Sequence, residues 1–173
     1  MQIQFTNSID DIVSFSWHHF RHSKSLQRWY RIGFLVGPIF GAIYAVLFAR
    51  WSLPSRIALA LAVAVAWAVW MWMYYRWWIP YSARKLTGEG KNKGLLGGHT
   101  ITITEEGLTE TTEVNESRSS WEGIEKIEEN EQYIFIYISA YQAHVIPKCA
   151  FASEKGEREF IEQARFYLSG SGI

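Results

Sequence analysis

The stretch from Ile57 to Tyr75, IALALAVAVAWAVWMWMYY, decides how the rest of the chain is read. Its 19 residues carry no charge. As an α-helix they would extend about 28 Å at ~1.5 Å per residue, which matches the ~30 Å hydrocarbon core of a bilayer. As a strand they would run about 63 Å at ~3.3 Å per residue, and Ala is depleted in strands, so the Ala/Leu and Ala/Val alternation is not a β pattern. Its six Ile, Leu and Val residues favour insertion, with no charge to oppose them. A helix apolar on every side needs lipid or a thick protein coat, and the polar remainder of the 173 residues is too small to supply the coat. A second uncharged run, Ile32 to Ala49, precedes it, joined by the short connection Arg50 to Arg56. Residues 32–79 are therefore expected to form a two-helix transmembrane hairpin, a topology with little room for transport because no charged residue lies within either run to mark a pathway.

The first run places Gly33, Gly37, Gly41, Ala45 and Ala49 at every fourth position, a stripe on which another backbone can approach closely. On the second run Ala58, Ala62 and Ala66 form one stripe, and Ala60, Ala64 and Ala68 another on nearly the opposite side. Gly33, Gly37, Gly41, Ala62 and Ala66 are the candidate helix-packing residues. The remaining stripe faces either lipid or a second protomer, so a homodimer is one expectation. Pro38 sits within the first helix, where neighbouring helices or a modest kink can accommodate it.

Basic residues set the orientation. Arg21, Lys24, Arg28 and Arg31 precede the first run, and Arg76, Arg84, Lys85, Lys91 and Lys93 follow the second, against only Arg50 and Arg56 between them. Both termini are expected in the cytoplasm, with Trp29, Tyr30, Tyr74, Tyr75, Trp77 and Trp78 as the aromatic belt there and Trp51 at the outer interface. The zero net charge conceals an asymmetry. Residues 1–98 carry eleven Lys and Arg against three acidic residues, and residues 99–173 carry six against fourteen Glu. The basic collar is suited to anionic membrane lipid, whereas the acidic half is not. The single cysteine, Cys149, excludes an internal disulfide and fits a reducing compartment, and no secretory signal is expected ahead of the first run.

Residues 1–31 read as a strand and a juxtamembrane amphipathic helix. QIQFT (residues 2–6) alternates and predicts a short strand able to join a cytosolic sheet. Asn7 or Ser8 can cap a helix whose positive end Asp10 and Asp11 favour, with Ile9, Ile12, Val13, Trp17 and Phe20 on its apolar side. His18 and His22, with His19 between, have the spacing of two metal ligands on one face. No carboxylate or cysteine accompanies them, so a solvated or headgroup-facing role is expected and no metal or cofactor is assigned. Residues 80–98 read as a basic, Gly-rich linker that lacks a phosphate-loop ending.

From residue 99 the period changes to two, so residues 99–173 are expected to be a small α+β cytosolic domain. Ile101 and Ile103 open a strand, Glu105-Glu106-Gly107 turns the chain, LTETTEV continues it, and Asn115 to Ser120 reads as a loop. Trp121, Ile124 and Ile127 lead into another strand. YIFIYIS (residues 133–139) is apolar on both faces, a central strand covered twice, and Ala143 to Ile146 adds one more before Pro147. Ser153 can cap a last helix with Phe160, Ile161, Ala164, Tyr167 and Leu168 on one side. The expectation is one antiparallel sheet of five or six strands, perhaps including residues 2–6, under a C-terminal capping helix.

Catalytic chemistry is not evident. The Glu residues alternate with Thr or lie in turns and read as solvated, Ser117, Ser119 and Ser120 lack a nucleophile-elbow pattern, and Cys149 has only His144 nearby across Pro147. The scattered basic residues of this half, with no RNA-type aromatic platform, argue against nucleic-acid binding.

IQFT with Asp11 after it, the hairpin, TITITEEGL, Trp121 with Ile124, YIFIY, and Val145-Ile146-Pro147-Lys148 followed by Phe151 and a final helix resemble the YcxB-like family of bacterial membrane proteins. The resemblance covers nearly all of the chain. It implies a bacterial cytoplasmic (inner) membrane protein whose cytosolic part is similar to a pleckstrin-homology-like sheet with a capping helix, and it carries over no catalytic residue. Trp121, Pro147 and Lys148 are the candidate interaction residues. The expected function is non-enzymatic, an acidic β domain anchored at the membrane that binds or regulates a protein partner. The alternative is a membrane-lipid-sensing module, by analogy of fold.

Overall fold

The computed structural model describes residues 1–47, 50–88 and 94–170. Among them four helices and seven strands follow the order β1 (Gln2–Asn7), α1 (Ile9–His22), α2 (Lys24–Leu47), α3 (Leu53–Gly88), β2 (Gly97–Ile103), β3 (Gly107–Thr112), β4 (Glu116–Ser120), β5 (Lys126–Glu129), β6 (Tyr133–Ser139), β7 (Gln142–Pro147) and α4 (Glu154–Gly170). Two compact units result: Met1–Phe15 with Ala83–Ile173, and Ser16–Ser82.

In the first unit the strands are antiparallel and form two sheets, β1-β2-β3-β4 and β5-β6-β7. Two corrections to the sequence reading follow. The strands divide between two sheets instead of sharing one, and residues 116–120 pair with β3 as an edge strand where a loop was expected. ESRSS carries no apolar alternation because an edge strand needs only backbone partners, so its sequence looked like a loop. The expectation for residues 2–6 holds: Ile3 pairs with Ile101 in β2, and the Met1 ammonium donates to the Ile103 carbonyl at 2.9 Å.

The inward positions of both sheets meet under α4, with Ile101, Ile103, Leu108, Ile124, Ile134, Ile136, Ile146, Phe160 and Ala164 all essentially inaccessible. Ser153 caps α4 by accepting from the Gly156 amide at 3.2 Å. The other side of β6 is buried too. Phe135, Tyr137 and Val145 lie beneath Phe15, whose ring is 5.7 Å from Phe135 and 5.9 Å from Tyr137. Phe15 of α1, which lies off the apolar side read from the sequence, thus covers this side of β6. A capping box starts that helix: Asp11 Oδ2 accepts from the Ser8 amide at 2.6 Å, and Asp11 Oδ1 accepts from the Tyr133 hydroxyl at 2.7 Å. Burial alone would raise the Asp11 carboxyl, but the bonds from Ser8 and Tyr133 outweigh it and hold it below the ordinary carboxylate value. At the β3 entrance Gly107 has φ +154°, and a Cβ there would strike the Ser119 carbonyl, so only glycine fits.

The second unit holds the two helices that are long and apolar enough to cross a membrane, α2 and α3. They pack antiparallel. Each step of four forward along Gly33, Gly37 and Gly41 is matched by four backward along Met71, Trp67 and Val63. A Cβ at Gly41 would lie 2.7 Å from Val63 Cγ1, and one at Gly37 would fall on the Trp67 ring. Trp67 Nε1 also donates to the Gly33 carbonyl at 3.1 Å. The glycine stripe therefore receives large side chains from α3. This corrects the assignment of Ala62 and Ala66 to the packing face: both are exposed, while Val63, Ala64, Trp67 and Ala68 lie on the covered side. Small residues on one helix had suggested small residues on the other, but a glycine notch is filled by a bulky neighbour.

Helix α3 runs unbroken through Pro80 to Gly88, where the sequence had suggested a linker from residue 80. Residues 89–93 of that stretch, and Ala49 of the glycine stripe, lie outside the described residues.

Candidate functional site

Alternation puts His99 at an inward position of β2, in line with Ile101 and Ile103. A polar side chain there needs a partner, and Glu110 on β3 provides it. His99 Nδ1 lies 2.9 Å from Glu110 Oε1, and His144 Nδ1, on β7, lies 2.9 Å from Glu110 Oε2. One carboxylate thus ties the four-stranded sheet to the three-stranded one. Phe5 stacks on His99 with ring centroids 5.5 Å apart. Burial would raise the Glu110 carboxyl, yet hydrogen bonds and charge from His144 and His99 hold it at about 2. With Glu110 ionised both imidazoles donate through Nδ1, which leaves each Nε2 buried without a hydrogen-bond partner. Through Glu110 the two imidazoles are held in a polar staple between the sheets. The sequence reading took Glu110 as solvated. The available signal was His99 at a position where the period of two calls for an apolar residue.

Trp121, Pro147 and Lys148 are not free surface. Trp121 is only 4% exposed, donates through Nε1 to the Thr104 carbonyl at 2.9 Å, and packs 5.6 Å from the Tyr167 ring. Pro147 is buried at the end of β7. Lys148 Nζ is 3.0 Å from Glu129 Oε2 and 2.8 Å from Glu157 Oε1, while Arg165 reaches Glu129 Oε1 at 2.9 Å. Burial would lower the Lys148 ammonium, but bonds to Glu157 and Glu129 raise it overall. These residues brace α4 and β5, and their assignment as interaction residues is corrected accordingly. Cys149 is exposed.

The second unit contains a cavity of about 220 Å³ lined by Trp17, Phe20, Arg21, Tyr30, Trp72, Tyr75 and Arg76. It is built by α1, α2 and α3 together. Tyr30 and Tyr75 meet edge to face at 4.9 Å, and Phe20 lies 5.3 Å from Tyr75. The Arg21 guanidinium sits 5.8 Å from the Trp17 ring centroid and that of Arg76 5.7 Å from Trp72. Both arginines are exposed, and neither has an ion pair among the described residues. His22, one metal-ligand candidate of the sequence reading, stacks on His18 at 4.1 Å and has Nδ1 2.9 Å from the His18 carbonyl. Among the described residues no group of three or more His, Cys, Asp or Glu is placed to hold a metal ion.

Comparison with protein-family models matches residues 103–164 to the YcxB-like protein family. This stretch is YcxB-like. No curated protein and no solved structure matches the chain significantly. The YcxB-like stretch runs from the end of β2 into α4 and contains Glu110, Trp121, His144, Pro147 and Lys148. Of the resemblance read from the sequence, the part within residues 103–164 is matched, including Trp121 with Ile124, YIFIY and Val145-Ile146-Pro147-Lys148, whereas IQFT and the two apolar runs lie outside the match. His99 and every residue lining the cavity lie outside the YcxB-like stretch.

Proposed function

We propose that the protein is a non-enzymatic membrane anchor for its β domain: α2 and α3 cross the bacterial inner membrane as a hairpin, both ends lie in the cytoplasm, and the acidic domain binds or regulates a protein partner. One observation carries the anchoring. Only 17% of the apolar window of α2 and 6% of that of α3 is buried, and Phe40, Leu47, Leu61 and Val65 are all more than 60% exposed. The core helix of a soluble domain would be covered, so this exposed apolar surface supports a place in hydrocarbon. Ala58, Ala62 and Ala66, exposed on α3, face lipid in this reading.

The four-plus-three division of strands under a C-terminal helix supports a pleckstrin-homology-like description of the domain. Its six Lys and Arg include Lys148 and Arg165, held in ion pairs, while Glu105, Glu106, Glu113, Glu122, Glu125 and Glu131 are exposed. The partner is therefore expected to be basic. Phe166 is an aromatic anchor for it, 71% exposed on the outer side of α4.

The test is a carbonate wash followed by protease. The full-length chain should stay with the membrane pellet, and protease should cut the Glu-rich domain only in inside-out vesicles. Release by carbonate, or cleavage on intact cells, overturns the anchoring. Capture of one partner from native membranes should be lost on Phe166→Ala; unchanged capture overturns the role given to that side chain.

A further inference from the structure

We propose that the cavity between Arg21 and Arg76 binds the phosphate of an anionic phospholipid head group, an inference that rests on the reading of α2 and α3 as membrane-spanning. Residues 12–88 contain no Asp or Glu, so the unit Ser16–Ser82 cannot neutralise its own arginines. Their counter-charge has to come from outside it. In a membrane the abundant supply is lipid phosphate.

The geometry suits that ligand. Each guanidinium rests near a tryptophan ring, at 5.8 Å for Arg21 and 5.7 Å for Arg76, which limits its rotamers while leaving N–H donors for a planar, bidentate contact with phosphate oxygens. Half-buried Trp17, Phe20, Tyr30 and Tyr75 offer apolar walls to the glycerol carbons. The volume of about 220 Å³ falls below the ~300–1,000 Å³ usual for drug-sized ligands, so a head group fits and the acyl chains remain in the bilayer. A choline group would bring a cation towards two uncompensated arginines. A head group with net negative charge does not, which sets the selectivity.

Native mass spectrometry of the full-length chain in detergent tests this, with dioleoylphosphatidylglycerol, dioleoylphosphatidylcholine and soluble glycerol phosphate as separate probes. The wild type should retain phosphatidylglycerol over phosphatidylcholine. Arg21→Gln/Arg76→Gln should lower that retention roughly tenfold or more, and Arg28→Gln/Arg31→Gln, an equal loss of charge outside the cavity, should lower it much less. Arg21→Lys/Arg76→Lys keeps the charge without the forked donors and should fall in between; it decides the matter if the Gln pair does not insert. Equal losses for the two Gln pairs, or retention by the Lys pair equal to wild type, overturns the site. Soluble glycerol phosphate binding as tightly as the lipid overturns the lipid as its source. A carbonate wash beforehand separates the two readings: a released chain refutes membrane spanning, whereas an inserted chain without phosphatidylglycerol preference refutes the cavity alone.

Discussion

The β domain and the helical unit handle charge and apolar surface in opposite ways. In the β domain the half-buried carboxylate Glu110 meets two imidazoles, Lys148 meets two glutamates, and the large aliphatic side chains of the core are inaccessible. In the helical unit seven Lys and Arg stand with no acidic residue in the same unit, and Leu, Val and Phe side chains lie open along both helices. The β domain pairs its partly buried charges and covers its apolar core internally, whereas α2 and α3 leave apolar surface for their surroundings to cover. For α2 and α3 the proposed solvent is the bilayer.

The contrast can be broken at several points. Phe160→Ala empties the centre of the β core and should cost about 3–5 kcal/mol. Pulse proteolysis should then find the β domain cut readily while the chain stays carbonate-resistant; unchanged protease resistance would mean that α4 does not close the core. The Glu110 staple comes next. Its carboxyl is at about 2 when folded against an ordinary 4.5, so its contribution is full above about pH 4.5 and drains away as the pH falls from there towards 2. The amount is on the order of 3 kcal/mol. Acid titration of near-UV dichroism should show Glu110→Gln unfolding with a flatter acid limb than wild type, and identical limbs would refute the staple.

A smaller loss is expected from Gly37→Leu, which forces a side chain onto Trp67 and should weaken α2–α3 packing by about 1–3 kcal/mol in detergent unfolding, leaving the β domain untouched. Ala62→Leu is the sharpening control. Ala62 is exposed, so its enlargement should change helix packing by less than ~0.5 kcal/mol. Lys148→Met should cost only about 1 kcal/mol, since the salt bridges it breaks are partly open to water.

Much of the β domain was legible because β2, β6 and α4 repeat apolar residues at the period of their own backbone, as Ile101 and Ile103 or Phe160 and Ala164 do. Strand β4 was not, because its pairing with β3 is made by backbone groups that leave no trace in ESRSS. The site was less legible than the fold. Trp121 and Lys148 were recognised as important but taken for contacts with a partner, since a motif gives no sign of whether its side chains point inward. The cavity is not legible in the sequence because Trp17, Tyr30 and Trp72 come from three helices; only the absence of acidic residues from 12 to 88, on which the proposed anion site rests, can be read there.

Sequence alone determined the two membrane-length helices, the change to β periodicity near residue 99 and the opposite charge of the two halves, because hydropathy, period and charge are sums over neighbouring residues. Only the tertiary structure decided that Trp67 and Val63 fill the glycine notch of α2, that Glu110 joins two sheets, and that Arg21 and Arg76 border one cavity. Each of these depends on which side chains meet after the chain has turned back on itself, and no local sum carries that information.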